Sequence, residues 1–560
     1  MDALPQLALL GVFTGLLTAA VILTFRVVID SSLSLLPGGN VENFEGLSVM
    51  QRVLLVLGGA ALLGVLMNRY TPSARRVGVV HVMERLSLHQ GRLPLRNAVI
   101  QFVGGAIALA TGQSGGREGP AIHLGATTAS LMGQQFQLPN NSLRTLVACG
   151  TAAAIGCSFN TPIAGVIFAM EVVMMEYTIA SFIPVIVASV TSTLVTQYFF
   201  GNEPAFNVAP SHMHSLFEVF YLIIGGILIG GIAAAYIQLI QAFARLATWP
   251  FWLRILLAGA ITAATAVMLP QVMGVGYDTV NEIMVAQVSI GVMFALVIAK
   301  ALTSAAAVGM GMPVGLIGPS LLLGAAVGGI FGNSLVYWQG AEISVAFYVM
   351  LGMCAMMGAV LQAPLAALMA VLEMTANTAL MLPAMVIIVV AALVSSQLFK
   401  QRSVFITTLN TLGLQYPPNP VSLHLQRAGV TAIMDRSFLR LNPVISLEDA
   451  QEALRQQTNW ILVNDEDANG VRALLNPSDL AAFIDEREQI EEEINLLQLP
   501  GQRMDVTTIS NRATVMQVQQ ALNKTQVEAC CITRTTAPMI APVVGIVTQV
   551  HIDNYRNLTE

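Results

Sequence analysis

Between Lys300 and Lys400 the chain carries only two charges, Glu342 and Glu373. No soluble core needs so long a segment that bare, whereas a set of membrane spans does. The rest of the 560 residues repeats the pattern less strongly, with 55% hydrophobic and 10% charged residues. The last quarter is different: residues 421–560 hold 11 Lys/Arg and 18 Asp/Glu, half of all the charges. The chain therefore reads as an all-α polytopic membrane domain over 1–415 followed by a soluble acidic tail. Leu4 to Val28 is too long for a secretory core and lacks a basic lead-in, so a retained helix is expected there. The five cysteines have neither metal-ligand nor disulfide-framework spacing, which points to packing.

The membrane segment contains an internal repeat. "GTAAAIGCSFNTPIAGVIFAME", Gly150 to Glu171, and "GMCAMMGAVLQAPLAALMAVLE", Gly352 to Glu373, both read G-x5-G-x5-P-x8-E at an offset of 202 residues. Upstream of each lies a glycine-rich stretch that ends in proline, "GGREGP" to Pro120 and "GMPVGLIGP" to Pro319. A repeat of this size in a membrane chain predicts two inverted halves about a pseudo-two-fold axis. Many apolar runs are also broken by Gly or Pro. Breaks at matching places of two halves predict a binding site near the bilayer midplane.

The breaks have a chemistry of their own. A helix N-terminus offers free N–H groups and the positive end of the dipole, and glycines before it let an ion approach. Two such N-termini, at the breaks 115–120 and 315–319, would form an anion site. Glu118 is the odd member, because a carboxylate there competes with the anion for the same N–H groups. It reads as a gate that protonation releases, against the plainer reading of an Arg117–Glu118 loop pair.

"GREGP", then "FNTPIAGVIFAMEV", "GLIGP" and a two-module tail, resemble the CLC family of chloride channels and chloride/proton antiporters over nearly the whole chain. The resemblance implies a homodimer with one pore per subunit, about eighteen tilted helices and both termini in the cytoplasm. It implies a plasma membrane setting, a bacterial inner membrane for this chain. Glu118 becomes the gating glutamate. Gly315, Leu316 and Ile317 would give N–H groups to the central anion, with Arg117, Gly119, Val77, Gly78 and Phe405 around it. Chloride would be the bound ion, and no cofactor is required.

Three departures from the family pattern bear on function. Val77, in "RVGVV", stands where a serine is usual, and Phe405 where a tyrosine is usual. Proton-coupled members carry an inner acid one place after Glu171, and here that place is Val172. Glu171 and Glu176 are the acids left near an inner proton path; on an α-helix Glu176, five residues on, lies on another face from Glu171 and reads better as a helix-end charge at the membrane surface, and Glu171 and Glu373, as repeat partners, read better as structural helix-end residues. The expectation is a voltage- or pH-sensitive chloride channel gated by Glu118, the alternative a chloride/proton antiporter with a non-standard inner path. A cation carrier would need more intramembrane carboxylates. An enzyme is not expected: the chain lacks H-E-x-x-H, Walker A and G-x-S-x-G motifs.

The tail alternates strand and helix patterns twice, over 421–490 and 500–560, and resembles tandem CBS modules, a soluble α/β arrangement. "EREQIEEEINLLQ" between them reads as a charged helical connector. Two readings stay open for the tail. One is adenine-nucleotide binding through Asn476, Asp479 and Thr548, although His551 stands where a ribose-binding Asp is usual. The other is a dimerising platform without ligand. No nucleic-acid partner is expected.

Overall fold

The computed structural model describes the chain except residues 1–2, 36–43, 178, 203–205, 207–212, 214–216, 340–343, 415–424, 426–427, 465–470, 487–492, 502, 535–541 and 558–560. The chain divides into two compact units. Met1–Phe136 with Leu143–Pro417 form the first, and Gln137–Ser142 with Pro418–Glu560 the second.

The first unit is helical and built twice. One half runs α1 (Ala3–Ser34), α2 (Val49–Asn68), α3 (Gly78–Leu88), α4 (Leu95–Ala110), α5 (Glu118–Gln135), α6 (Asn140–Phe159), α7 (Pro162–Phe168) and α8 (Ile179–Phe200). The other runs α9 (Phe217–Ala244), α10 (Phe251–Met268), α11 (Tyr277–Met284), α12 (Ile290–Gly309), α13 (Ile317–Gln339), α14 (Val345–Leu361), α15 (Pro364–Thr375) and α16 (Met381–Leu393). α17 (Val404–Thr411) closes the unit. Among the described residues, nine helices are long and apolar enough to cross a membrane. Others are too short to span alone, as the broken apolar runs predict.

The repeat persists down to the backbone. Asn160 and Gln362, 202 residues apart, both take left-handed φ, 60° and 54°. Each sits one residue before the entry to a helix that starts on proline, Pro162 or Pro364. Proline suits that place, because the first N–H of a helix has no partner to lose. The repeats also grip each other. Glu373 accepts from the N–H groups of Ile163 and Ala164 at 2.9 and 2.7 Å, capping α7. Glu171 accepts from Leu365 and Ala366 at 3.3 and 2.7 Å, capping α15. Each half thus caps a helix of the other, the relation a two-fold axis produces. A carboxylate at a helix N-terminus meets both unpaired N–H groups and the dipole. Both glutamates thus act as helix caps in this structure.

α7 continues as a π-helical segment, Ala169–Met174, which stops where Met175 turns left-handed with φ 52°. Glu176 therefore lies beyond the helix. The α-helical angle that its spacing from Glu171 suggests does not apply, because the segment has changed pitch and then ended.

The second unit holds two modules of like design. In the first, β1 (Phe438–Leu441) pairs parallel with β3 (Trp460–Asn464), which pairs antiparallel with β4 (Val471–Leu475). In the second, β6 (Val506–Ser510), β7 (Ala529–Thr533) and β8 (Val543–Thr548) repeat that order and sense. Helices Leu447–Arg455, Pro477–Glu486, Val515–Thr525 and Gln549–Asn557 pack between and after the strands.

The structure corrects two features of the tail. Glu493–Asn495, expected in a helical connector, is strand β5, antiparallel to β2 (Val444–Ser446). Residues 487–492 of that stretch lie outside the described residues. β5 puts Ile494 into the first module's core beside Ile445, which a solvated helix would waste. Residues before β1 also belong with the second module: Leu425 and Val430 lie in its core with Val515 and Val547. All five cysteines are free and buried.

Asp435 fixes this early segment. Its backbone exchanges hydrogen bonds with Ile546 at 2.9 and 2.8 Å. Its carboxylate accepts from Ser437 N–H at 2.8 Å, from the Asn459 amide at 2.8 Å and from the Trp460 indole at 3.1 Å. Burial pushes the carboxyl up, but those donors outweigh it and hold it below the usual carboxylate range. A depressed group adds stability above its unfolded value, about 3.9, and loses it as pH falls through the folded value. Asp435→Ala is therefore expected to cost about 1–3 kcal/mol at neutral pH. Hydrogen exchange over 435–464 in the full chain is the measurement. Wild-type protection should fall below about pH 4, toward that of the variant.

Candidate functional site

Gly116 and Gly315 meet at the centre of the helical unit. Gly116 N–H donates to Gly315 O at 2.7 Å and Gly315 N–H returns the bond at 2.6 Å. The contact tolerates no side chain: a Cβ on Gly315 would lie 2.5 Å from Gly119 N. This bridge brings the N-termini of α5 and α13 together, the arrangement that the two glycine-rich breaks predict. It also spends the Gly315 N–H. Gly315 thus positions the site, and the donors left in its motif are Leu316 and Ile317.

Glu118 is the first residue of α5 and is buried. One carboxylate oxygen accepts from the N–H of Gly318, the second residue of α13, at 3.3 Å. The other accepts a short hydrogen bond from the Tyr277 hydroxyl. The carboxylate thus occupies the N-terminus of the opposite half's helix, where an anion would bind. Gly116 makes room for it, since a Cβ there would fall 2.2 Å from Glu118 Oε2.

Tyr277 is a residue that sequence reasoning missed. It opens α11, and the edges of Phe159 and Phe206 hold its ring at centroid distances of 6.4 and 6.1 Å. The signal was a small one: "VG" at 275–276 repeats "VG" at 77–78, and both glycines take left-handed φ at the entry to a short helix. In that register Tyr277 stands opposite Val79, so the second half presents a hydroxyl at an entry where the first is apolar.

Two cavities flank the glutamate. The larger, of about 440 Å³, is lined by Val77, Gly78, Gly119, Gly315, Leu316, Ile317 and Phe405, with Arg75, Arg76 and Arg254 at its walls. Nearly all the residues expected to surround the anion therefore share one space. The smaller, of about 240 Å³, is lined by Arg26, Arg117, Tyr277, Asn160 and Thr196 among others. Arg117 is a correction: it faces the smaller cavity, with its guanidinium 5.5 Å from the Tyr277 ring centre, not the larger one. Gly78 is a second, because its N–H donates to Gln101 Oε1 at 2.8 Å and is not free for an anion. Gln101 in turn donates to Pro313 O at 2.9 Å, tying the entry of α3 to the second glycine-rich break.

Val77 and Phe405 offer no hydroxyl to this cavity, so neither adds a side-chain donor to the backbone N–H groups of Leu316 and Ile317. Val77→Ser combined with Phe405→Tyr is expected to tighten anion binding. Each restored hydrogen bond contributes about 0.5–1.5 kcal/mol net, or roughly 5- to 150-fold in affinity for the pair. Titration calorimetry on the purified protein measures it; an unchanged affinity would mean that these side chains do not reach the anion.

The inner-acid place, Val172, is buried in the π-helical segment. In the tail, Asn476 Oδ1 accepts from Ser478 N–H at 3.1 Å, at the start of its own helix. Asp479 lies beside Gly501, where an added Cβ would meet it at 2.8 Å. His551 Nδ1 turns back to the N–H and hydroxyl of Thr548 at 3.1 and 3.0 Å, capping the last helix.

Comparison with known proteins places the chain in a family. A ClcB-like chloride channel protein of Ralstonia nicotianae is 31% identical over 356 residues, 62% of this chain and 83% of that protein. The H(+)/Cl(-) exchange transporter ClcA of Yersinia pestis is 28% identical over 403 residues, 69% of this chain and 83% of its own length. A crystal structure of a eukaryotic CLC transporter matches with a TM-score of 0.61 at 18% identity, covering 98% of this chain, tail included, and 97% of that one. The voltage gated chloride channel family model matches residues 59–396, so the chain belongs to that family, the CLC family, whose members are channels or transporters and not enzymes.

Proposed function

We propose that the chain carries chloride and similar small anions across a membrane, along a path joining the two cavities and closed by Glu118. The observation that carries this reading is the Glu118 carboxylate, held by Gly318 N–H and Tyr277 between a 440 Å³ and a 240 Å³ cavity. Both relatives are named for chloride movement. The larger cavity is the cytoplasmic mouth on this reading. The loops at 69–77, 245–250 and 399–403 carry six Lys/Arg and no Asp/Glu, the bias of cytoplasmic loops. α17 lines that cavity and is, among the described residues, the last helix of the membrane unit, which supports a cytoplasmic tail. The bacterial relatives support a bacterial inner membrane, and the CLC resemblance supports a homodimer. No cofactor is needed for the path, and the nucleotide reading of the tail rests on Asn476, Asp479 and Thr548.

Exchange of chloride for protons is the second reading. The exchanger name of the Yersinia relative favours it, whereas Val172 supports uncoupled permeation. Chloride flux from proteoliposomes, recorded with a pH electrode, tests both. Chloride release that follows a potassium–valinomycin potential is expected. Its absence would end the anion reading, and proton movement at a fixed ratio to chloride would select the exchanger.

A further inference from the structure

Two histidines meet inside the membrane unit, away from Glu118. His81 on α3 and His123 on α5 bring Nδ1 and Nε2 to 2.8 Å, with ring centroids 5.1 Å apart. His81 is 4% exposed and His123 0%. His81 lines the 440 Å³ cavity, and its Nε2 is not used by the pair. His123 Nδ1 is buried and has no hydrogen-bond partner among the described residues. An ionisable pair at this depth is costly to charge, which marks it as a functional candidate. Its neighbours sharpen the point. Glu84 also lines the cavity, but its carboxylate is paired with Arg76. α3 packs against the π-helical segment Ala169–Met174, the segment that carries Val172.

We propose that the His81–His123 pair is a proton-accepting site opening on the anion vestibule, and that it does from α3 what an acid at Val172 would do. It rests on the reading of Glu118 as the gate. The step needs no further reactant. A proton from vestibule water binds His81 Nε2, and the two rings then share one positive charge across the 2.8 Å contact, the proton on His81 Nδ1 or on His123 Nε2. Neither ring has to leave its place. His81 lies three residues after Gly78, about 4.5 Å along the helix axis from its start. His81 lines the same cavity as Leu316 and Ile317, whose N–H groups are left to the anion, so a positive charge on the pair and an anion there each favour the other's binding.

The other ionisable groups around the pair set its response. α3 and its ends contribute Arg76, Glu84, Arg85 and His89, and α5 contributes Glu118. The elements packed on them bring Glu171, Arg26 and Asp30, Arg96, and Arg144, which donates to Leu86 O at 2.5 Å. α17, which also packs on α3, carries none.

The test is chloride binding by calorimetry on the full chain, from pH 5 to pH 8, in buffers of different ionisation enthalpy. Wild type should bind chloride about tenfold tighter at pH 5 than at pH 8, with measurable proton uptake. His81→Gln with His123→Asn keeps hydrogen-bonding side chains that do not titrate. It should flatten the affinity to within twofold and remove the pair's share of the uptake. Glu118→Gln should lose its own share and leave that of the pair. Should the double variant not fold, His123→Asn alone serves, since one titrating ring is then gone from the contact. Unchanged uptake and an unchanged pH slope in a folded variant would overturn the proposal. A purely tethering role for the pair predicts that outcome. Failure of the gate reading shows separately, as a chloride flux whose pH profile Glu118→Gln leaves unaltered.

Discussion

Glu118→Gln is expected to raise anion flux at neutral pH by at least about tenfold and to flatten its pH dependence. The carboxylate accepts from Gly318 N–H and from Tyr277, both as charge-assisted bonds when it is ionised. Each such bond contributes about 1.5–3 kcal/mol, and about 1.4 kcal/mol is a factor of ten in population. The amide keeps the size of the side chain but removes the charge that competes with an anion for the helix N-terminus. Protonation neutralises the same group in the wild type, so the variant should resemble the wild type at low pH across the whole range. Chloride efflux from proteoliposomes between pH 5 and pH 8 is the measurement. A variant with the wild-type profile would remove Glu118 from the gate.

Tyr277→Phe is expected to open the same path by a smaller step. It deletes one hydroxyl and keeps the ring, so the contacts with Phe159, Phe206 and Arg117 remain. Loss of one charge-assisted bond should release Glu118 by about 1.5–3 kcal/mol, a rise in flux of roughly tenfold or more at neutral pH. Gly318 N–H still holds the carboxylate, so some pH dependence should survive. Adding Tyr277→Phe to Glu118→Gln should change little, because both act on one contact and are not additive. A strong further rise in the double variant would place Tyr277 in the path itself rather than in the latch.

Much of this was open to reading in the sequence, for definable reasons. The charge desert from Lys300 to Lys400 and the 202-residue repeat follow from what lipid demands of side chains and from duplication. Neither depends on a particular three-dimensional arrangement. The "GREGP" and "GLIGP" stretches named the two helix N-termini, because glycine before a helix has few other uses in an apolar chain. The tail's two modules were legible from alternating strand and helix periods.

What the sequence could not carry were pairings between distant residues. Nothing local to Glu373 says that it caps α7, 210 residues earlier in the chain. Nothing local to Tyr277 says that its hydroxyl holds Glu118. Hydrogen bonds are short and directional, so a shift of about an ångström decides whether one exists. Composition and spacing do not resolve that scale. The same limit put Arg117 with the anion residues, although its guanidinium faces the smaller cavity beside Tyr277. It also hid that Gln101 and Gly116 consume the N–H of Gly78 and of Gly315. The sequence by itself determined a doubled membrane fold with two glycine-led helix N-termini and a carboxylate at one of them. Tertiary packing alone decided which N–H groups stay open to the anion, which hydroxyl latches the carboxylate and which histidines meet, because those are matters of contact rather than of pattern.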